Sequence, residues 1–353
     1  MSHPVSDSFY STFLKGEVKN MGKIFRGFTV VSLIMLFVAA SWMSAHAAPI
    51  TVRTVSAWPK SAQFETQQFL EVIGMIQKEA NQKYPGQLVI DYKGAGEVIP
   101  TQQQVEALRS GLVDMILTAA SYYTSIMPEM DVMSLTTMTP WEERKAGVDA
   151  FLEKLHNEKA NAHYLARMGS GDLFHIFLSK PVERISDFKG MKIRVSPTHI
   201  PFIKDLGAEP VVTPPSEIYT AMERSVVAGY VQPVASIRTM GLLPVTKYMV
   251  RPGFYQPIVL VLMNLDFWKK LPDNLKKLLT ENFEKGEHLE MDNIAKKIQF
   301  ELGEFKKAGV RIIELPPADA KKFTKMADDA LLGVVLKKSP VDGKKLYDLI
   351  TKK

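Results

Sequence analysis

Cysteine is absent from the 353 residues. That lack excludes a disulfide framework, a thiolate nucleophile, a Cys-ligated metal and a lipobox cysteine for a lipid anchor. Also missing is a clustered Lys/Arg stripe with interleaved aromatics, so the formal net charge of +6 does not point to nucleic acid. There is no HExxH pair, no GxSxG elbow and no phosphate loop, and His156 and His163 stand at no metal-ligand spacing with a carboxylate. An enzyme needs a nucleophile with its base, paired carboxylates at a cleft, or a metal set. The chain offers none of these patterns, and neither a cofactor nor a metal is expected. The Gly94/Gly96 pair lacks the third glycine of GxGxxG, with Ile99 in its place, which argues against a dinucleotide turn. The histidines read as structural or surface residues, with His175 the one exception.

Long apolar runs are scarce as well. Residues 28–40 form one that is shorter than the ~20 residues a membrane span needs. Lys23 and Arg26 precede it and Ala45-His46-Ala47 follows, which is the n-region, h-region and A-x-A order of a secretory signal peptide. Residues 1–47 are therefore expected to be an upstream extension plus signal peptide, starting near Met21 and cleaved after Ala47, with no stable membrane insertion afterwards. The remaining ~306 residues carry a net charge of about +4. That length exceeds what one hydrophobic core sustains, so two lobes are expected. A hydrophobic content of 46% is ample for two cores and argues against disorder.

What is present is α/β winding. Residues 190–233 read as strand (191–195), short helix, strand (210–213), helix (217–224) and strand (226–231), joined by Pro- and Ser-bearing turns. On the first of these strands Ile193 and Val195 share one face, and Lys192 and Arg194 the other. Spacing alone makes Arg194 a solvated strand residue, since charged groups are seldom buried unpaired. Upstream, strands are expected over 50–55, 88–92 and 115–118, with helices over 62–81 and 142–156. Downstream come a buried strand over 258–263 and a helical pattern over 272–308, on the order of 50 Å long, in which Gly286 could introduce a kink. A closing strand over 311–315 and one or two helices follow.

The segments KGMKIRV, LGAEP, SEIYTAMERSVVAG and QP stand in order through this winding. With GAGEVIPTQQQVEALRSGLVDMILTAAS upstream and NLDFW downstream, they closely resemble the solute-binding proteins of tripartite ATP-independent periplasmic (TRAP) transporters. The resemblance implies a periplasmic binding protein-like α/β fold (type II, TRAP class): two α/β lobes around a ligand cleft with a long strap helix. Lobe 1 would comprise 48–171 and 258–297, and lobe 2 would comprise 172–257 and 298–353. It implies a periplasmic protein, not an enzyme, whose partners are a small-molecule carboxylate and the TRAP membrane permease subunits. A ligand-binding sensor of the same fold is the alternative.

In that family the arginine of the KIRV strand pairs with the ligand carboxylate, which makes Arg194 the clamp, with Arg238 the next choice. Departures from the family pattern suggest a less polar site. Phe174 stands where many relatives carry a second arginine, Val231 where they carry a glutamate, and Gln232 where they carry an asparagine. The expected ligand is a monocarboxylate with an apolar or aromatic body, such as an aryl or branched 2-oxo or 2-hydroxy acid. A binder of sugar acids or dicarboxylates is the alternative. Trp58, Phe174, Tyr219, Tyr230, Phe254 and Tyr255 are the candidate aromatic walls. Tyr122 stands at the carboxyl end of a strand, where open α/β sheets bind ligands. His175, Gln232 and Glu97 complete the expected set.

Overall fold

A computed structural model describes residues 48–61 and 63–352; the expected signal peptide lies outside the described residues. The chain runs β1 (Ile50–Ser56), α1 (Phe64–Lys83), β2 (Leu88–Gly94), α2 (Gln104–Arg109) and β3 (Met115–Ala119). A 3-10 segment (Pro128–Leu135), α3 (Pro140–Ala146), α4 (Val148–Ala160) and β4 (Ala162–Met168) follow. Next come β5 (Phe174–Leu178), β6 (Lys192–Val195), α5 (Ile200–Asp205), β7 (Glu209–Val212), α6 (Ile218–Glu223), β8 (Gly229–Pro233) and β9 (Tyr248–Arg251). The last elements are β10 (Val259–Asn264), α7 (Leu265–Lys270), α8 (Asp273–Lys307), β11 (Arg311–Glu314), α9 (Pro317–Lys338) and α10 (Pro340–Thr351).

These strands make two sheets, one per lobe. The first has the order β2-β1-β3-β10-β4, and the second β11-β9-β5-β8-β6-β7. In the first, β1 runs parallel to β2 and β3 while β10 is antiparallel to β3 and β4. In the second, β6 is parallel to both β7 and β8. The chain leaves the first sheet after β4 and returns to it as β10, whose side chains are all buried. Helices α1 and α8 cover one face of the first sheet and bury Phe69, Val72, Ile76, Leu279 and Phe283 against Val52 and Leu117. Each such side chain contributes about 1.5–3 kcal/mol of burial.

Helix α8 is one helix of 35 residues, about 50 Å, and it straps the two lobes together. Leu275, Leu278 and Phe283 lie in the first-lobe core, whereas Phe305 packs on Phe177 and Tyr230 of the second sheet. Gly286 does not interrupt it. A Cβ there would lie 2.5 Å from Val72 Cγ2, so the glycine lets α8 press against α1. The helix expected over 142–156 is broken instead: Gly147 adopts φ +82°, ending α3 and starting α4. The C-terminal segment expected in lobe 2 divides as well. Helix α9 packs both on α5 and on the 3-10 segment of the first lobe, and α10 packs on that same 3-10 segment and on α4.

Beneath the strap lies a buried ion network that no local motif signals. Arg167 on β4 donates from Nε to Glu143 at 2.7 Å, and both side chains are wholly buried. Arg144 pairs with Glu287 and lies 3.3 Å from Asp149. Burial raises Glu143 and Glu287 to about 7, even though Arg167 and Arg144 respectively favour their ionised forms.

Candidate functional site

The turns just past the carboxyl ends of β1, β3, β6 and β7 line one crevice between the lobes, which is where open α/β sheets present ligands. Its inner cavity, about 60 Å³, is walled by Trp58, Tyr122 and Ser134 from the first lobe and by Phe174, Thr198, His199 and Gln232 from the second. An outer chamber of about 430 Å³ shares Trp58, Gln63, Tyr122 and Pro215 with it and continues along Pro59, Pro214, Tyr219, Met240 and Leu242.

Trp58 holds its place because Ser56 Oγ donates to its carbonyl at 2.7 Å, which tightens the turn after β1. Its Nε1–H donates to Tyr122 OH at 3.0 Å, with the ring centroids 5.6 Å apart. Two aromatic residues from different strand ends therefore form one wall, with its polar tips satisfied.

Arg194 is 2% exposed on β6. Its Nε and Nη2 both donate to the Thr213 carbonyl, at 3.0 and 2.6 Å, while Nη1 has no partner among the described residues. Burial lowers its pKa to about 10, with Tyr122 and Glu217 acting in the opposite direction, so it remains a cation at neutral pH. It does not itself line the inner cavity, but its charge acts on Tyr122 and His199, which do. The spacing argument for a solvated strand residue fails here because the guanidinium turns back onto the loop after β7, at the Thr213 carbonyl, and lies near Tyr122 and His199.

His199 closes the 3-10 turn after β6 and is 2% exposed. Its ring meets Phe174 edge-on at 4.5 Å and Phe254 at 5.9 Å, and stacks on Tyr255 at 6.1 Å. Burial, reinforced by the charge of Arg194, pushes its pKa down to about 3, so the imidazole is neutral. Beside it, Thr198 Oγ1 donates to Asp131 at 2.8 Å, and burial raises that carboxyl to about 6. His199 was missed by sequence reasoning; its place in the loop at a strand's carboxyl end, five residues beyond Arg194, is the signal that could have found it.

The structure brings Trp58, Tyr122, Phe174 and Gln232 together at the inner cavity and puts Tyr219, 36% exposed, on the outer chamber. The other expected residues lie elsewhere. Tyr230 is wholly buried, stacked on Phe177 at 5.3 Å and bonded through its OH to Thr246 at 2.5 Å. Phe254 and Tyr255 point into a cluster with Phe202 and Phe323, and Tyr255 OH donates to the Ala327 carbonyl; of the cavity they only back His199. His175 follows Phe174 on β5 and so takes the opposite face, where Nδ1 bonds the Leu173 carbonyl at 3.0 Å. Arg238 is engaged by Glu301 of α8 at 3.1 Å and lies over the Phe300 ring at 5.2 Å, outside both chambers. Glu97 is exposed and turns back to accept from Ala95 N at 2.8 Å, bracing the glycine turn after β2. Val231 packs in the core rather than on the cavity. Among the described residues no His/Cys/Asp/Glu group could hold a metal ion, and no helix is long and apolar enough to cross a membrane.

The family model for bacterial extracellular solute-binding proteins, family 7, matches residues 60–337. The chain is similar to the monocarboxylate 2-oxoacid-binding periplasmic protein of Nostoc sp., 25% identical over 242 residues, 64% of this chain and 63% of that protein. It is also 25% identical over 206 residues to an uncharacterized protein of Haemophilus influenzae, covering 56% of this chain and 60% of that one. The chain thus spans just under two thirds of the length of these curated relatives. Among solved structures, a TRAP periplasmic solute-binding protein from Desulfovibrio salexigens with bound orotic acid has a TM-score of 0.75 at 22% identity, covering 85% of this chain and 97% of that one. A marine metagenome TRAP protein specific for aromatic acid ligands, in complex with 3-hydroxybenzoate, has a TM-score of 0.72 at 20% identity, covering 86% and 97%.

Proposed function

The chain belongs to the bacterial extracellular solute-binding proteins of family 7, and we propose on that premise that it captures a small monocarboxylate with an apolar or aromatic body in the crevice between its lobes. The observation that carries this reading is Arg194: a buried cation with one donor unpartnered among the described residues, beside a cavity walled by Trp58, Tyr122 and Phe174. In this reading Nη1 of Arg194 receives the carboxylate. The lobes close on the ligand, and the loaded protein docks on the permease subunits of a TRAP transporter in the periplasm.

Magnitudes favour an apolar body. A charge-assisted pair contributes about 1.5–3 kcal/mol, whereas micromolar binding needs about 8 kcal/mol. Burying ~150 Å² of apolar ligand surface at ~25 cal/mol per Å² adds near 4 kcal/mol. The inner cavity, about 60 Å³, is smaller than the roughly 150 Å³ that holds a benzene ring. An acid whose head lies within must therefore extend its body past Trp58 and Tyr122 towards the outer chamber, where Pro59, Pro215, Tyr219 and Met240 offer apolar surface. The relatives named for 2-oxoacids and for aromatic acids support the same ligand class.

A thermal-shift panel of aryl and branched 2-oxo acids, uronates, dicarboxylates and sialic acid tests the reading, because a ligand that binds only the folded form raises its Tm. Stabilisation by the monocarboxylates, lost in Arg194→Ala, is the expected result. Stabilisation by uronates or dicarboxylates alone would overturn the apolar body while keeping acid capture.

A further inference from the structure

His199 is the part of the cavity that this reading leaves unused. It is 2% exposed, yet neither Nδ1 nor Nε2 has a hydrogen-bond partner among the described residues. Buried polar groups are nearly always paired, so two orphan nitrogens on one ring demand a partner from outside the chain. The ring cannot turn away to find one, because Phe174, Phe254 and Tyr255 hold it on three sides and leave its remaining edge to the cavity it lines. A neutral imidazole offers one N–H donor and one acceptor. Arg194 stands on β6 and His199 in the 3-10 turn that directly follows it, so Nη1 and the imidazole, both without partners among the described residues, belong to one strand end and serve the same end of a bound molecule. The cation is the natural partner of the carboxylate, which leaves the neutral donor for a neutral oxygen next to it.

We propose that His199 is a second polar anchor, donating its N–H to an oxygen on the carbon adjacent to the carboxylate held by Arg194, so that the site selects 2-oxo and 2-hydroxy acids over acids bare at that carbon. The inference rests on the Arg194 reading and names the head-group chemistry within it. Its physical force lies in rejection: a ligand without that oxygen leaves a buried donor unpaired, and sites built around such a hydrogen bond discriminate strongly against analogues lacking it.

The test uses three acids with one body and different second carbons: phenylpyruvate, 3-phenyllactate and 3-phenylpropanoate. Their Kd values are measured calorimetrically for the wild type, His199→Phe and His199→Gln. The wild type is expected to prefer phenylpyruvate to 3-phenylpropanoate by at least about tenfold. In His199→Phe that ratio should fall to within about twofold, and His199→Gln, which keeps an N–H donor, should retain part of it. Because the readout is a ratio within each variant, a partly unfolded preparation lowers both affinities and leaves it intact. An undiminished ratio in His199→Phe, or no preference in the wild type, overturns the role of His199 while leaving the acid-binding reading standing. Failure of all three acids to bind the wild type overturns the apolar-bodied acid itself, and this inference with it.

Discussion

Arg194 gives two hydrogen bonds to a single backbone oxygen, the Thr213 carbonyl, from Nε at 3.0 Å and Nη2 at 2.6 Å. A neutral carbonyl orients the cation without neutralising it, so the guanidinium stays buried and charged, with no anion paired to it among the described residues. A ligand carboxylate would supply one. Replacing Arg194 by Met should therefore weaken acid binding about 10- to 100-fold while leaving the Tm of the ligand-free protein unchanged or higher, because a costly buried charge is removed. Thermal melts with and without ligand measure both effects. A variant that melts far below the wild type would make Arg194 a structural residue instead.

The aromatic residues divide into those that face the crevice and those that fill the core, and mutation should separate them. Trp58→Ala removes an inner wall together with the Nε1–H that holds Tyr122, and is expected to weaken binding at least tenfold with a modest loss of stability. Tyr230→Phe removes only the hydroxyl bonded to Thr246; it should cost about 1 kcal/mol of stability in urea denaturation and leave Kd unchanged. An equal loss of affinity in both variants would contradict this division.

Asp172 lies where the chain crosses between the sheets and accepts from Val234 N at 3.1 Å and Ala235 N at 2.8 Å. Burial, aided by the nearby charge of Glu65, raises its pKa to about 7 from 3.8. A carboxyl that holds its proton more tightly when folded makes the folded state lose stability as pH rises from about 4 to about 7, after which the loss is complete. Urea denaturation at pH 4.5 and pH 8 should show this loss in the wild type, with Glu143 and Glu287 contributing in the same direction. In Asp172→Asn the difference between the two pH values should shrink, by an amount on the order of a few kcal/mol. An unchanged difference would mean that Asp172 does not titrate in this window.

Gly286 meets Val72 where the strap crosses α1. Gly286→Ala gains about 1 kcal/mol of helix propensity, yet its Cβ would sit 2.5 Å from Val72 Cγ2, so a net loss of about 1–3 kcal/mol is expected. Adding Val72→Ala should recover part of that loss, and a double-mutant cycle measures the coupling. Additive effects would show that the two helices do not constrain one another here.

Much of this arrangement was legible from local pattern. The alternation of β6 placed Arg194 opposite Ile193 and Val195, and the long apolar stripe beyond Pro272 announced the strap. Trp58, Tyr122, Phe174 and Gln232 line the inner cavity, and their place at or beside strand ends, where the fold opens, was readable locally. Phe254, Tyr255 and Tyr230 were misread because an aromatic side chain packs equally well on a ligand or on a core. Which one it meets depends on partners such as Phe202, Phe323 and Phe177, far away in the chain. The Arg167–Glu143 pair and its neighbours were invisible for the same reason, being assembled from α3, β4 and α8.

The sequence by itself determined the family, the α/β winding, the two sheets and the strap, because these follow from short-range periodicity, turn chemistry and chain length. Only the tertiary structure decided that Arg194 is buried without an anion, that His199 rather than His175 faces the cavity, and that Gly286 is a contact rather than a kink. Those outcomes are set by what lies across the space from each residue. Burial and unmet hydrogen bonding are properties of an assembled surrounding, and no local stretch of chain contains them.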